Sequence, residues 1–189
     1  YHSVKTLSRF LKTQGMELIH VERGPEQGGS IVGYAQFSDG SQDIQNSVSK
    51  LLKLEKERRL DRPETIRGMY EGLESVKTEV RNLISDLRKD SKTVAGFGAA
   101  RAGTTLLSYF GIGSQLDFLV DDNKTKHYKF SPGDKLEVFP TSDIYTKKPD
   151  YLLILAWLHA DKIMQSHKKY LDEGGTFLCL FPGVKEVKK

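Results

Sequence analysis

Four short apolar runs, "TVAGFG", "LDFLVDD", "DYLLILAW" and "GTFLCLFP", recur over residues 93–182. Segments with helical patterning lie between them: "ARAGTTLLSYFG", "TSDIYTKK" and "HADKIMQSHKKYLDEG". Runs this short and this continuously apolar read as strands buried on both faces, and strands that alternate with helices imply a parallel sheet. The expected fold class is α/β, a Rossmann-like parallel sheet with flanking helices. "NKTKHYKFSPGDKLEVFP" reads as a loop with a short extended piece. Thr141 or Ser142 is placed to cap the small helix, and Gly174 to end the last one.

Upstream the pattern changes. Val4, Leu7, Phe10 and Leu11 keep helical spacing, and Gly15 follows at the expected stop. "MELIHVE" and "SIVGYAQF" alternate as strands on either side of the turn-rich "GPEQGG", which predicts a hairpin. These three small elements cannot bury a core alone and read as the tail of a larger sheet. A helical stretch then runs over residues 43–89, divided at Arg62-Pro63, with Asp61 and Glu64 spaced as a capping box. Ile66, Met69, Leu73, Val76, Val80, Leu83 and Leu87 form an apolar seam of heptad type. The seam packs on the chain's own sheet or on a second copy. The expected domains are 1–40, 41–90 as a helical connector, and 91–189 as the Rossmann-like domain.

Composition narrows the function classes. Hydrophobic residues make up 38% and charged residues 29% of the 189, which suits a globular chain rather than a disordered one. No apolar stretch approaches the ~18 residues that a membrane helix needs, so no membrane partner is expected. The lone Cys179 excludes a disulfide framework and fits a small buried residue in a reducing cytoplasm. The net charge of +4 is spread along helices among many acids, so an anionic small molecule is a better expectation than nucleic acid. No set of His, Cys, Asp or Glu has metal-ligand spacing, and no metal is expected.

Ligands of parallel sheets bind beyond the carboxyl ends of the strands, at the switch in strand order. Residues 96–103, Asp121-Asp122, residues 156–159 and Phe181-Pro182 should meet there. Gly96 and Gly98 permit a tight turn into a helix whose first amides and dipole suit a phosphate, and Arg101 could add a charge-assisted contact. The dinucleotide fingerprint, however, needs a glycine at position 101; the next one is Gly103, two places late. Asp121 stands where an acid could hold ribose hydroxyls. Trp157 offers a ring to a base or sugar, and His159 follows it. A ligand-free strand-to-helix turn, a solvated arginine and a core tryptophan are the plain alternatives. No nucleophile elbow, Gly-Lys-Ser/Thr phosphate loop or paired-carboxylate signature occurs.

Taken in order, "VAGFGAARAGTTLLSYFGIG", "VDDNKTKHYKFSPG", "PDYLLILAW" and "GGTFLCLFP" resemble the C-terminal domain of bacterial S-adenosylmethionine-dependent sugar C-methyltransferases. The family pattern appears as Gly96-Phe97-Gly98-Ala99, Asp121-Asp122-Asn123, Pro132-Gly133 and Trp157. "LSRFLKTQGMELIHVE" resembles the last helix and strand of a class I methyltransferase domain, and "QGGSIVGY" the family's Gly-Gly-Ser segment. Two positions depart from the pattern. Ala102 stands where lysine is common, with Arg101 one place earlier, and Leu158 stands where asparagine follows the tryptophan.

The resemblance implies a C-methyltransferase acting on a nucleotide-linked keto-deoxysugar, in which this portion positions the substrate. The implied contacts are Gly28, Gly29, Ser30, Gly96, Gly98, Ala99, Arg101, Asp121, Trp157 and His159. It further implies a Glu-His pair just before the aromatic that matches Tyr1. Base and donor site would then lie outside this sequence, leaving the chain inactive alone and binding no S-adenosylmethionine itself. An NAD-binding oxidoreductase-like domain and a non-catalytic dimerising module are the other readings.

Overall fold

The computed structural model describes residues 2–189; the aromatic at position 1 lies outside them. The chain divides into two compact units, residues 1–71 and 72–189.

In the first unit, helix α1 (Val4–Thr13) begins at Ser3, whose hydroxyl accepts from the Thr6 amide while the Thr6 side chain accepts in return from the Ser3 amide. Gly15, at φ +68°, turns the chain into β1 (Met16–Gly24), which pairs antiparallel with β2 (Ser30–Phe37) from Met16↔Phe37 to Gly24↔Ser30. Helix α2 (Asn46–Glu57) lies on this hairpin. Val48 joins Val4, Leu18 and Val21 in a small core, with Leu51 and Leu52 at its edge. Glu55 also accepts the Val4 and Lys5 amides, so α2 caps the start of α1. The Asp61 carboxylate does not close the expected capping box; it pairs with Lys5 at 2.7 Å.

Helix α3 (Pro63–Lys89) contains the boundary between the units. The second unit then reads β3 (Val94–Phe97), α4 (Arg101–Phe110), β4 (Leu119–Asp121), β5 (Val138–Pro140), α5 (Asp143–Lys147), β6 (Tyr151–Ile154), α6 (Ala160–Ser166), α7 (Lys168–Asp172), β7 (Thr176–Cys179) and β8 (Lys185–Val187). The sheet order is β5-β4-β3-β6-β7-β8, with β8 alone antiparallel. This is the Rossmann-like α/β layout that the alternation of runs predicts.

Successive side chains of the central strands enter opposite cores, as a strand's two-residue period requires. Leu153 and Leu155 pack with Val76, Val80, Ile84 and Leu87 of α3 and Leu107 and Phe110 of α4. Leu152 and Ile154 pack with Ile144, Ile163 and Tyr170 on the other face. The apolar seam of α3 therefore serves the chain's own sheet over Val76, Val80 and Leu87, whereas Ile66 and Met69 are exposed. Cys179 is buried in the second core, as expected of it.

Three local expectations differ from the structure. The helix expected over "HADKIMQSHKKYLDEG" starts after a 3-10 turn at Trp157–His159 and breaks at His167. The His167 ring is drawn inward, edge-on to Phe97 and bonded to the Tyr145 hydroxyl at 3.0 Å. Ser142 makes no side-chain cap for α5, and the Thr141 hydroxyl instead donates to Asp122. β8 carries no apolar run and is absent from the sequence reading.

Candidate functional site

At the carboxyl edge of the sheet, β3 and β6 are neighbours whose following connections lead to opposite sides, and this is the topological switch. Gly98 ends β3 at φ +107°, and a Cβ there would lie 2.9 Å from the Ala156 Cβ after β6. Only glycine allows the two strand ends to close on each other in this backbone region. Gly96 has a different role. It sits inside β3, where a Cβ would come within 2.5 Å of Leu119 and 2.9 Å of Leu155, so it packs the core.

The helix that follows begins at Arg101, with Ala100 as a cap residue that offers no side-chain bond. Its first amides are left without a side-chain acceptor, beside an exposed guanidinium. Close approach of the helix to the turn is granted by Gly103. A Cβ there would stand 2.8 Å from the Gly98 carbonyl oxygen and 3.1 Å from the Leu155 Cβ. The third glycine is thus two places later than the dinucleotide fingerprint has it, and it supplies the same close packing.

Asp121 ends β4 and is 7% exposed. Its Oδ2 accepts from the Ala99 amide at 2.7 Å and the Lys126 ammonium at 2.9 Å, and its Oδ1 from the Asn123 amide at 2.9 Å. Burial pushes this carboxyl upward, but the donors from Lys126, Asn123 and Ala99 outweigh it and hold it below the usual carboxylate range. Asp121 ties the glycine turn to β4, and its own carbonyl accepts from the His127 Nε2 at 2.8 Å.

Trp157 lies in the 3-10 turn after β6, 38% exposed, with its ring edge-on to that of Phe181, just beyond β7, at a centroid distance of 5.2 Å. His159, the cap residue of α6, is exposed and makes no capping bond. The structure thus gathers Gly98, Ala99, Arg101, Asp121 and Trp157 on one edge of the second unit, with His159 two residues beyond Trp157. Gly28, Gly29 and Ser30 belong to the first unit, at the start of β2, where the Ser30 hydroxyl donates to Glu26 at 3.0 Å. Lys126 and His127, which the sequence reading left in a loop, stand on Asp121; the run of basic and aromatic residues at 124–130 was the signal for them. Among the described residues no group of three or more His, Cys, Asp or Glu side chains could hold a metal ion, and no helix is long and apolar enough to cross a membrane.

A mostly parallel sheet covered on both faces, with a glycine turn that meets an uncapped helix start, defines a Rossmann-like α/β domain. Residues 25–182 match the family described as the C-methyltransferase C-terminal domain, and the chain belongs to that family. It is 30% identical over 183 residues to C-methyltransferase NovU of Streptomyces niveus, covering 96% of this chain. The chain spans 44% of that relative's length. The crystal structure of UDP-D-quinovosamine 4-dehydrogenase from Vibrio fischeri overlaps 51% of this chain and 93% of its own, at 18% identity and a TM-score of 0.38. That overlap is loose and says nothing of what either chain binds.

Proposed function

We propose that this chain is the substrate-positioning part of a cytoplasmic S-adenosylmethionine-dependent C-methyltransferase acting on a nucleotide-linked keto-deoxysugar. The observation that carries the proposal is the uncapped start of α4 at the sheet's switch point, flanked by Arg101 and Trp157. Free amides and a neighbouring cation suit a diphosphate, and the exposed edge of Trp157 suits a sugar. In this reaction a base removes the proton alpha to the sugar's keto group, and the resulting carbanion takes the methyl group. This chain's residues would hold the keto-sugar still while that happens, lowering the entropy cost of bringing donor and carbon together. Base and donor would act from the remainder of a longer protein, of which the related C-methyltransferase is an example in length.

The dinucleotide reading is disfavoured at Asp121. A ribose diol needs both carboxylate oxygens, and Asp121 already accepts the Ala99 and Lys126 donors on one and the Asn123 amide on the other.

Steady-state kinetics of the whole enzyme test the proposal. Arg101→Ala raises KM for the keto-sugar nucleotide about tenfold, the loss of one charge-assisted contact, and leaves KM for S-adenosylmethionine unchanged. An unchanged KM for the sugar nucleotide contradicts it.

A further inference from the structure

The connection from β4 to β5 holds a feature that the proposed substrate site does not yet use. Residues 123–133 contain no acid, and within them "KTKHYKF" sets three lysines and a histidine beside two aromatics. Both aromatics face solvent: Tyr128 is 66% exposed and Phe130 65%. Most of the surface of both rings is left uncovered by the fold.

Tyr128 is also held in an unusual way. Its φ is +60°, and among the described non-glycine residues with positive φ it alone is aromatic. For a bulky side chain this backbone is strained and persists only where neighbours fix it. The Tyr128 amide donates to the Val138 carbonyl at 2.7 Å, and the Val138 amide donates back to Lys129 at 2.9 Å. Phe130 bridges Glu137, and the Ser131 amide donates to Leu136 at 2.8 Å. The Tyr128 ring stands perpendicular to Phe139 with centroids 6.1 Å apart, so it is braced at an edge while most of its surface stays open.

This ring is linked to the glycine turn by short steps. His127 bonds the Asp121 carbonyl, and Lys126 bonds the same Asp121 carboxylate that receives the Ala99 amide. Only one proton of the Lys126 ammonium is used on Asp121, which leaves donors for an anion beside the glycine turn.

We infer that Tyr128 is a stacking platform for the nucleobase of a nucleoside diphosphate whose phosphates lie at the start of α4. The inference rests on the substrate reading above and adds to it the residue that holds the base. Stacking tolerates any base, because every base has a π-face, so the platform gives affinity for the nucleoside without fixing its identity.

Calorimetric titration of the chain with UDP, dTDP, ADP and inorganic pyrophosphate tests this. The nucleoside diphosphates bind about tenfold more tightly than pyrophosphate, which corresponds to one stacked base. Tyr128→Ala removes that advantage and leaves pyrophosphate affinity as it was; Tyr128→Phe keeps it. Circular dichroism melts of both variants match wild type, since the ring is exposed. If the wild-type chain binds pyrophosphate as tightly as the diphosphates, or if Tyr128→Ala binds them as wild type does, the platform is wrong and the anion site stands. If neither probe binds at all, the platform falls together with the substrate reading.

Discussion

Gly103 occupies a point where a side chain has no room. The obstacle on one side is the Gly98 carbonyl, a backbone atom that cannot rotate away. Gly103→Ala should therefore cost about 1–3 kcal/mol in chemical denaturation, the range for overpacking in a tight core. A smaller loss would mean that α4 can lift off the turn. Asp121 is the second residue on which the edge depends. Its folded carboxyl is held below the usual 3.8. A depressed carboxyl adds stability that is fully present above its unfolded value and is lost as the pH falls through the folded one. Asp121→Asn should cost about 1–3 kcal/mol at neutral pH, the worth of hydrogen bonds to a charged group. The gap to wild type should then narrow steadily in denaturation below pH ~4, where the unfolded carboxyl protonates. A gap that stays constant with pH would contradict the pairing.

At the level of elements, α3 separates two periodicities. A strict heptad seam names Leu83, whereas the structure buries Ile84 at 0% exposure and leaves Leu83 only partly buried. The buried set Val76, Val80, Ile84 and Leu87 follows a straight helix of 3.6 residues per turn rather than a supercoil of 3.5. Ile84→Ala should cost about 2–5 kcal/mol in urea unfolding and Leu83→Ala clearly less; equal costs would restore the heptad reading. The elements that the sequence displayed plainly were those with long apolar runs: β3, β6 and β7 are buried on both faces, and each is an unbroken apolar word. β8 was not legible because three residues with exposed lysine and glutamate have no period to detect. The break at His167 was not legible because nothing in "MQSHKK" announces that the ring will turn inward to Phe97 and Tyr145. The glycine turn was half legible. Gly96 and Gly98 were visible as a pair, but the packing role of Gly103 depends on where α4 crosses the turn, which spacing alone does not encode.

The whole molecule consists of two units with separate cores, and the gathered candidate residues belong to the second. Most of the fold of that unit follows from sequence pattern. The site follows less directly, because its key contacts are between residues far apart in the chain, such as Ala99 with Asp121 and Trp157 with Phe181. The proposed function requires that the start of α4 receive a negatively charged group. Amide NMR of the chain titrated with inorganic pyrophosphate tests it most directly. Saturable shifts of the Ala100, Arg101 and Ala102 amides and of the Trp157 indole are expected, with the Ala99 amide, already bonded to Asp121, moving least. Saturation without movement at those amides, or shifts confined to surface lysines elsewhere, would contradict it.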